Sequence, residues 1–353
     1  MLKKRKTDVD EVKEMLSDKE TRTDLSTTTE IDPERLVSTG STLLNLALSD
    51  NPKGGFLLGR IVNIIGDSAA GKTFLLWSIF AEAVYDKRFK DHDLIYDEPE
   101  ASLEFNIDRL FGEVVSQRVR TDVNSESVED WHDNVVSFAK EKNPFIYGLD
   151  SLDAISSEEE IERDVRKGTF GASKPKLIGE ILRKIVQNVN KTNSIVFVIS
   201  QTRDAIGVMF GDKKTRSGGK ALKFFSSHEL WLAVKGHIKR KERDVGVNVR
   251  VKVGKNKLTG KLRIIEFPIY YDYGIDDIAS CIDFLITEKR WSAVRGKIDT
   301  KGDFDCEGKE EDLIAHIEEN DLYDKLVEIT TETWHEIENS IATQRRPKYL
   351  ERR

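Results

Sequence analysis

The chain has 353 residues, with 56 Lys and Arg against 63 Asp and Glu, and 38% of its residues are hydrophobic. This composition excludes collagen-like, mucin-like and wholly disordered chains, and no apolar run reaches the roughly 18 residues that a membrane span needs. The opening MLKKRK leads into TDVDEVKEML instead of the apolar stretch of a secretory leader, and two cysteines, Cys281 and Cys306, are too few for a disulfide framework or a zinc site. A cytoplasmic protein with no redox chemistry is expected.

The formal net charge of -7 conceals a segregation. Residues 163–263 carry 25 Lys and Arg against 7 Asp and Glu, a balance of +18, so the remainder of the chain carries -25. Residues 299–338 hold 15 acids and 3 lysines. Two solvated faces of opposite sign would account for this; the sharper reading is a polyanion-binding surface in the middle of the chain, with acidic segments that compete for it.

In chain order, residues 1–34 are charged and rich in Ser and Thr, with a short helical pattern at Val9, Val12, Met15 and Leu16. Apolar runs at 60–65 (RIVNII), 94–96, 145–149 (FIYGL) and 194–199 (SIVFVI) predict buried strands. Between them, 72–88, 127–142 and 176–190 predict helices. Strand alternating with helix implies an α/β fold whose mostly parallel sheet is covered on both faces. From 229 to 267 strand follows strand, and VNVRVKV at 247–253 alternates strictly, which predicts an antiparallel extension of the sheet. Residues 275–340 turn helical and acidic, suggesting a small C-terminal α/β domain after a core spanning 35–274, and 341–353 form a basic tail.

Directly after the first long strand, Gly66-Asp67-Ser68-Ala69-Ala70-Gly71-Lys72-Thr73 satisfies the GxxxxGKT pattern and opens into a helix. The glycines let the backbone curl so that successive N–H groups face an anion, and the helix N-terminus adds its positive end. Lys72 offers a point charge to the outer phosphates and the Thr73 hydroxyl a ligand to Mg²⁺. A nucleotide-binding loop spanning 66–74, with Phe74 as its last residue, is therefore expected to hold ATP with Mg²⁺.

A second metal ligand should close a later buried strand, and Asp150 does so; its plainer role would be a helix cap. Gly148, inside that strand, is expected to mark the close approach of another backbone. Asp97, Glu98 and Glu100 follow residues 94–96 and offer three carboxylates for activating water, which their spacing does not rank.

Beyond the phosphate loop, STGSTLLNLAL at 38–48, FIYGLDSLDAI at 145–155, QTRDAIGVMFGDKKTRSGGKALKF at 201–224 and VRVKVGKNKL at 249–258 together resemble the RecA-type recombinases. The segments fall in the family's order, and the likeness runs from about residue 35 to about 320. The resemblance implies a RecA-like P-loop ATPase core and places the water-activating acid at Glu100, with Glu98 second. It makes Gln201 the amide that senses the terminal phosphate. It makes 202–220 the DNA-binding loop, in which Arg203, Ile206, Met209, Phe210, Gly218, Gly219 and Lys220 face the nucleic acid. An earlier DNA-binding loop falls at 163–176, with Lys176 and Arg183 as its backbone-contacting cations. Lys255 and Lys257 resemble paired cations that reach the nucleotide of a neighbouring subunit. Where the family presents an aromatic ring to adenine this chain has Ile107, with Glu104 nearby.

The implied function is an ATP-dependent DNA strand-exchange protein in recombination and repair. It would form helical filaments on single-stranded DNA and pair that strand with homologous duplex, assisted by single-strand-binding and loader proteins. The alternative is an ATP-gated mediator that binds DNA without exchanging strands.

Overall fold

The computed structural model describes residues 31–101, 105–162, 173–204, 214–216, 218–306 and 308–345. The N-terminal helical pattern, the stretch 163–172, residues 205–213 with Ile206, Met209 and Phe210, Glu104, and the basic tail from 346 lie outside the described residues. Residues from Pro33 onward pack as one compact unit.

The strands are β1 (Leu36–Val37), β2 (Phe56–Leu57), β3 (Arg60–Gly66), β4 (Asp93–Asp97), β5 (Val119–Arg120), β6 (Phe145–Leu149), β7 (Ile195–Asp204), β8 (Lys214–Arg216), β9 (His228–Arg240), β10 (Arg243–Asn256), β11 (Ile264–Tyr270), β12 (Gly274–Ile275), β13 (Ser292–Val294) and β14 (Lys297–Asp299). The helices are α1 (Thr42–Ser49), α2 (Lys72–Tyr85), α3 (Ile107–Phe111), α4 (Glu113–Arg118), α5 (Val128–Lys140), α6 (Glu158–Ile161), α7 (Ser173–Lys191), α8 (Gly219–Phe225), α9 (Asp277–Thr287), α10 (Glu310–Glu319) and α11 (Tyr323–Ile341).

The central sheet has the order β12-β11-β10-β9-β3-β7-β6-β4-β5. From β9 to β5 every pairing is parallel, and from β9 to β12 every pairing is antiparallel. The predicted parallel core and its antiparallel extension are both present.

The alternation along each parallel strand explains why both faces are covered. On β7, Ile195, Phe197 and Ile199 join one apolar cluster while Val196 and Val198 join the other. On β4, Leu94 and Tyr96 face one way and Ile95 the other. A strand whose two faces are both buried reads as a continuous apolar run, which is what 195–199 and 145–149 display. Helix α2 lies on the first face through Leu75, Leu76, Ile79 and Phe80. Helices α5 and α7 cover the second through Trp131, Val135, Ile178, Leu182 and Ile185.

Helix ends follow local chemistry. Ser127 caps α5 in a reciprocal box with Asp130. Helix α2 stops at Tyr85, short of the expected residue 88, because Asp86 takes an extended conformation and its carboxylate accepts from the Arg88 N–H, starting a 3-10 turn at Lys87–Phe89. Gly148 corrects one expectation: a Cβ there would meet the Leu76 side chain at 2.7 Å, so what approaches is a helix side chain and not a backbone.

After the sheet, α9, the β13–β14 hairpin, α10 and the start of α11 enclose an apolar cluster of their own, with Trp291, Phe304, Leu313 and Ile317 at its centre. This segment is fastened to the core by charge as well as by packing. Arg263 bonds Asp50 at 2.5 Å and Glu338 at 2.7 Å while its guanidinium lies 4.9 Å from the centre of the Trp334 ring. Among the described residues no helix is long and apolar enough to cross a membrane.

Candidate nucleotide and DNA site

The parallel strands β3, β4, β6 and β7 all end on one side of the sheet, and the candidate residues leave from those ends. Open α/β sheets bind ligands in that position.

Gly66 closes β3 with its Cβ position only 2.8 Å from the Leu232 carbonyl oxygen, so no side chain fits there. Gly71 takes φ 84° at the entry to α2, in the left-handed region that glycine enters without strain. The loop between them curls back on itself: buried Lys72 donates to the Asp67 carbonyl at 2.6 Å. Burial pulls the Lys72 ammonium below the ordinary lysine range, against the opposing pull of Asp150, Glu100, Asp67 and Asp153. Ser68 and Ala69 are exposed at the crest and Ala70 is buried beneath it. The Phe74 ring packs with Phe105 and Phe111, at 5.8 and 5.3 Å between centroids.

The Thr73 hydroxyl donates to Asp150 Oδ2 at 2.7 Å, and the Tyr96 hydroxyl donates to the same oxygen at 3.2 Å. The sequence offered a helix cap as the plain alternative for Asp150, and the carboxylate instead faces Thr73. Burial lifts its pKa to about 6, and the charge of Glu100 adds to the lift against the two hydroxyl donors. Glu100 in turn accepts from the Ser151 hydroxyl.

Asp97 is separated from its two acidic neighbours. It is fully buried and accepts from the Ser125 N–H at 2.8 Å, the Ser125 hydroxyl at 2.6 Å and the Tyr147 hydroxyl. Of the three acids the sequence left unranked, only Glu100 lines the cavity of about 390 Å³ that also contains Asp153, Ala154, Gln201 and Thr202.

Gln201 pairs in register with Gly66, so the end of β7 lies beside the start of the phosphate loop. Its N–H donates to Asp153 Oδ2 at 2.7 Å, and the hydroxyl of Thr202 donates to the Asp67 carboxylate. Asp153, Ser151 and Tyr96 were missed in the sequence, and Asp67 was expected only as part of the phosphate loop. The three-residue spacing of Asp150 and Asp153 after a strand end was the available signal.

The cationic residues take several positions. Lys176 and Arg183 are exposed on α7, two turns apart, and Lys220 is exposed at the start of α8. Gly218 and Gly219 both have positive φ, and a Cβ on Gly218 would meet Leu152 and Leu222 at 2.9 Å, so packing requires that glycine whatever else it does. Arg203 lies on β7 in register with Thr215 of β8. Lys255 and Lys257 reach the C-terminal end of α8: both ammonium groups donate to the Phe224 carbonyl, at 3.1 and 3.2 Å, and Lys255 also to that of Lys223. Cations there complement the negative end of the helix. Ile107 begins α3 and packs half-buried against the main core.

Residues 9–276 match the RecA N-terminal domain family. The chain belongs to the RecA family. It is 38% identical over 255 residues to Protein RecA of Caulobacter sp. (strain K31), covering 70% of this chain and 67% of that protein. Protein RecA of Leptospira meyeri is likewise 38% identical over 255 residues, with 71% and 62% covered. Protein RecA of Colwellia psychrerythraea (strain 34H / ATCC BAA-681) is 33% identical over 252 residues, with 70% and 69% covered. The RecA match ends at residue 276, where the antiparallel extension gives way to α9, so the acidic C-terminal segment stands outside it.

Proposed function

We infer that this chain is an ATP-dependent recombinase that assembles as a filament on single-stranded DNA and exchanges that strand into homologous duplex. The observation that carries the reading is one cavity shared by Glu100 and Gln201, beside a phosphate loop whose Thr73 bonds Asp150.

The residues present fit a nucleoside triphosphate with a divalent cation. The curled loop and buried Lys72 suit phosphate oxygens, and Asp150, a buried carboxylate with a raised pKa, is placed to gain from a cation beside Thr73. Among the described residues no group of three or more His, Cys, Asp and Glu could hold a metal. A cation here would therefore draw most of its ligands from phosphate and water, as Mg²⁺ does. When bound, it would neutralise charge on the phosphates. Lys72 turns from the Asp67 carbonyl toward the phosphates. Glu100, one bond from Ser151, orients and deprotonates a water in the cavity.

Gln201 lies between two events. It lines the cavity, and the chain leads on through Thr202 into residues 205–213. A nucleotide that engages Gln201 changes the restraint on that segment, and a ligand shifts such an equilibrium only by its differential affinity for the two states. Lys176, Arg183 and Lys220 would supply contacts to the DNA backbone, which makes binding tolerant of sequence and steeply salt-dependent. Lys255 and Lys257, on the α8 end, would approach the nucleotide of the next copy in a filament.

The test is ATP hydrolysis with and without single-stranded DNA, followed by pairing of a single strand with homologous duplex and electron microscopy for filaments. Hydrolysis indifferent to DNA would refute the coupling. DNA-stimulated hydrolysis without pairing would make the chain a mediator.

A further inference from the structure

A cavity of about 600 Å³ lies away from the proposed nucleotide site, between the chain entering α1, the end of α2 and one stripe of α11. Its lining includes the apolar Tyr323, Val327 and Pro52 and five acids, Glu82, Asp86, Asp324, Glu328 and Glu332, with Lys53 as the one Lys or Arg among the lining residues. Asp86 is already paired with Arg88 at 2.5 Å. Glu328 and Glu332 are exposed.

The stripe of α11 in this groove runs from Tyr323 through Val327 and Thr331 to His335, and one more step of four residues reaches Asn339. There the chain leaves the helix: the Gln344 amide donates to the Asn339 carbonyl at 3.2 Å, holding the departing segment against the helix end. The next residues, 345–353, read RRPKYLERR, five cations against one acid with Tyr349 and Leu350 among them. No role described above uses this segment. Nine extended residues span about 30 Å, whereas His335 lies only about 9 Å along the helix from Ile341.

We propose that the groove between α1, α2 and α11 is the docking site of this chain's own basic segment, residues 345–353. In that arrangement Tyr349 and Leu350 would cover Tyr323, Val327 and Pro52, and the arginines would meet the acids of α11. Charge complementarity, the apolar strip and the exit point of the chain at the end of the same stripe all select this occupant over an unrelated one.

Photo-crosslinking tests it on the full chain, with p-benzoylphenylalanine at position 349 and equal parts of ¹⁴N- and ¹⁵N-labelled protein. The expected products join position 349 to Val327, Glu328 or Thr331 within a chain of one isotope. Glu328→Lys with Glu332→Lys should lower their yield at least fivefold, and adding Arg352→Glu with Arg353→Glu should restore it. The restoration separates lost docking from lost folding. Mixed-isotope products would assign the groove to a second copy and overturn the proposal. Products elsewhere on the chain, or a yield indifferent to charge reversal, would overturn it as well.

Discussion

The hydroxyl of Thr202 donates to the carboxylate of Asp67, so the phosphate loop and the strand leading to residues 205–213 are joined directly. An anionic side chain there would repel the phosphates that the loop is proposed to hold. Both ends of the bond are solvent-accessible, so the repulsion is screened to roughly 0.2–1 kcal/mol. Asp67→Asn should tighten ATP binding by a factor of about 1.4 to 5, measured by titration with a fluorescent analogue. Unchanged or weaker binding would show that the carboxylate does not oppose the nucleotide.

Asp150 makes stability depend on pH in a stated direction. Its folded-state pKa, near 6, is above the ordinary carboxylate value of 3.8, so the folded protein binds the extra proton. The contribution is fully present below about pH 4 and is lost as pH rises through 6; it amounts to something on the order of 3 kcal/mol. Melting temperatures of the native chain and of Asp150→Asn should therefore converge or cross as pH rises from 4 to 7, with the native chain losing ground. A constant difference over that range would refute the assignment.

Glu100→Gln should leave nucleotide binding nearly intact and reduce DNA-stimulated hydrolysis about 10²- to 10⁴-fold, the usual contribution of a positioned base. Glu98→Gln should reduce it far less, since Glu98 is absent from the residues lining the cavity. Single-turnover hydrolysis distinguishes the two, and a larger defect from Glu98→Gln would reverse the assignment.

Lys255 and Lys257 separate a structural from a catalytic role by magnitude. If their only work is at the carbonyls ending α8, each alanine variant should lose about 0.3–1 kcal/mol of stability and little else. On the proposed function, each should also lower hydrolysis in the assembled state by a factor of about 10³ or more. Urea unfolding alongside DNA-stimulated hydrolysis reads both.

Gly148→Ala places a methyl against Leu76, at 2.7 Å from its Cδ2 atom. Overpacking of this kind costs about 1–3 kcal/mol. Leu76→Val, which removes a methylene from the same spot, should recover part of the loss in a double-mutant cycle of urea midpoints. Additive effects would mean the strain is relieved elsewhere.

The parallel strands were legible in the sequence because burial on both faces leaves an unbroken apolar run, and the phosphate loop because its glycines and lysine must sit at fixed offsets. Asp150 stood out in the sequence as the acid that closes such a run, and the fold sets its carboxylate against the Thr73 hydroxyl. What the sequence could not supply were partners distant along the chain. Asp97, Glu98 and Glu100 are chemically alike and nearly adjacent; only the fold buries the first under Ser125 and Tyr147 and turns the third toward Gln201. Thr202 and Asp67 are 135 residues apart, and they meet because β3 and β7 pair in parallel and end together. Local chemistry along the chain determined the elements and the phosphate loop, whereas the side-by-side ending of strands far apart in sequence decided which carboxylates share a cavity.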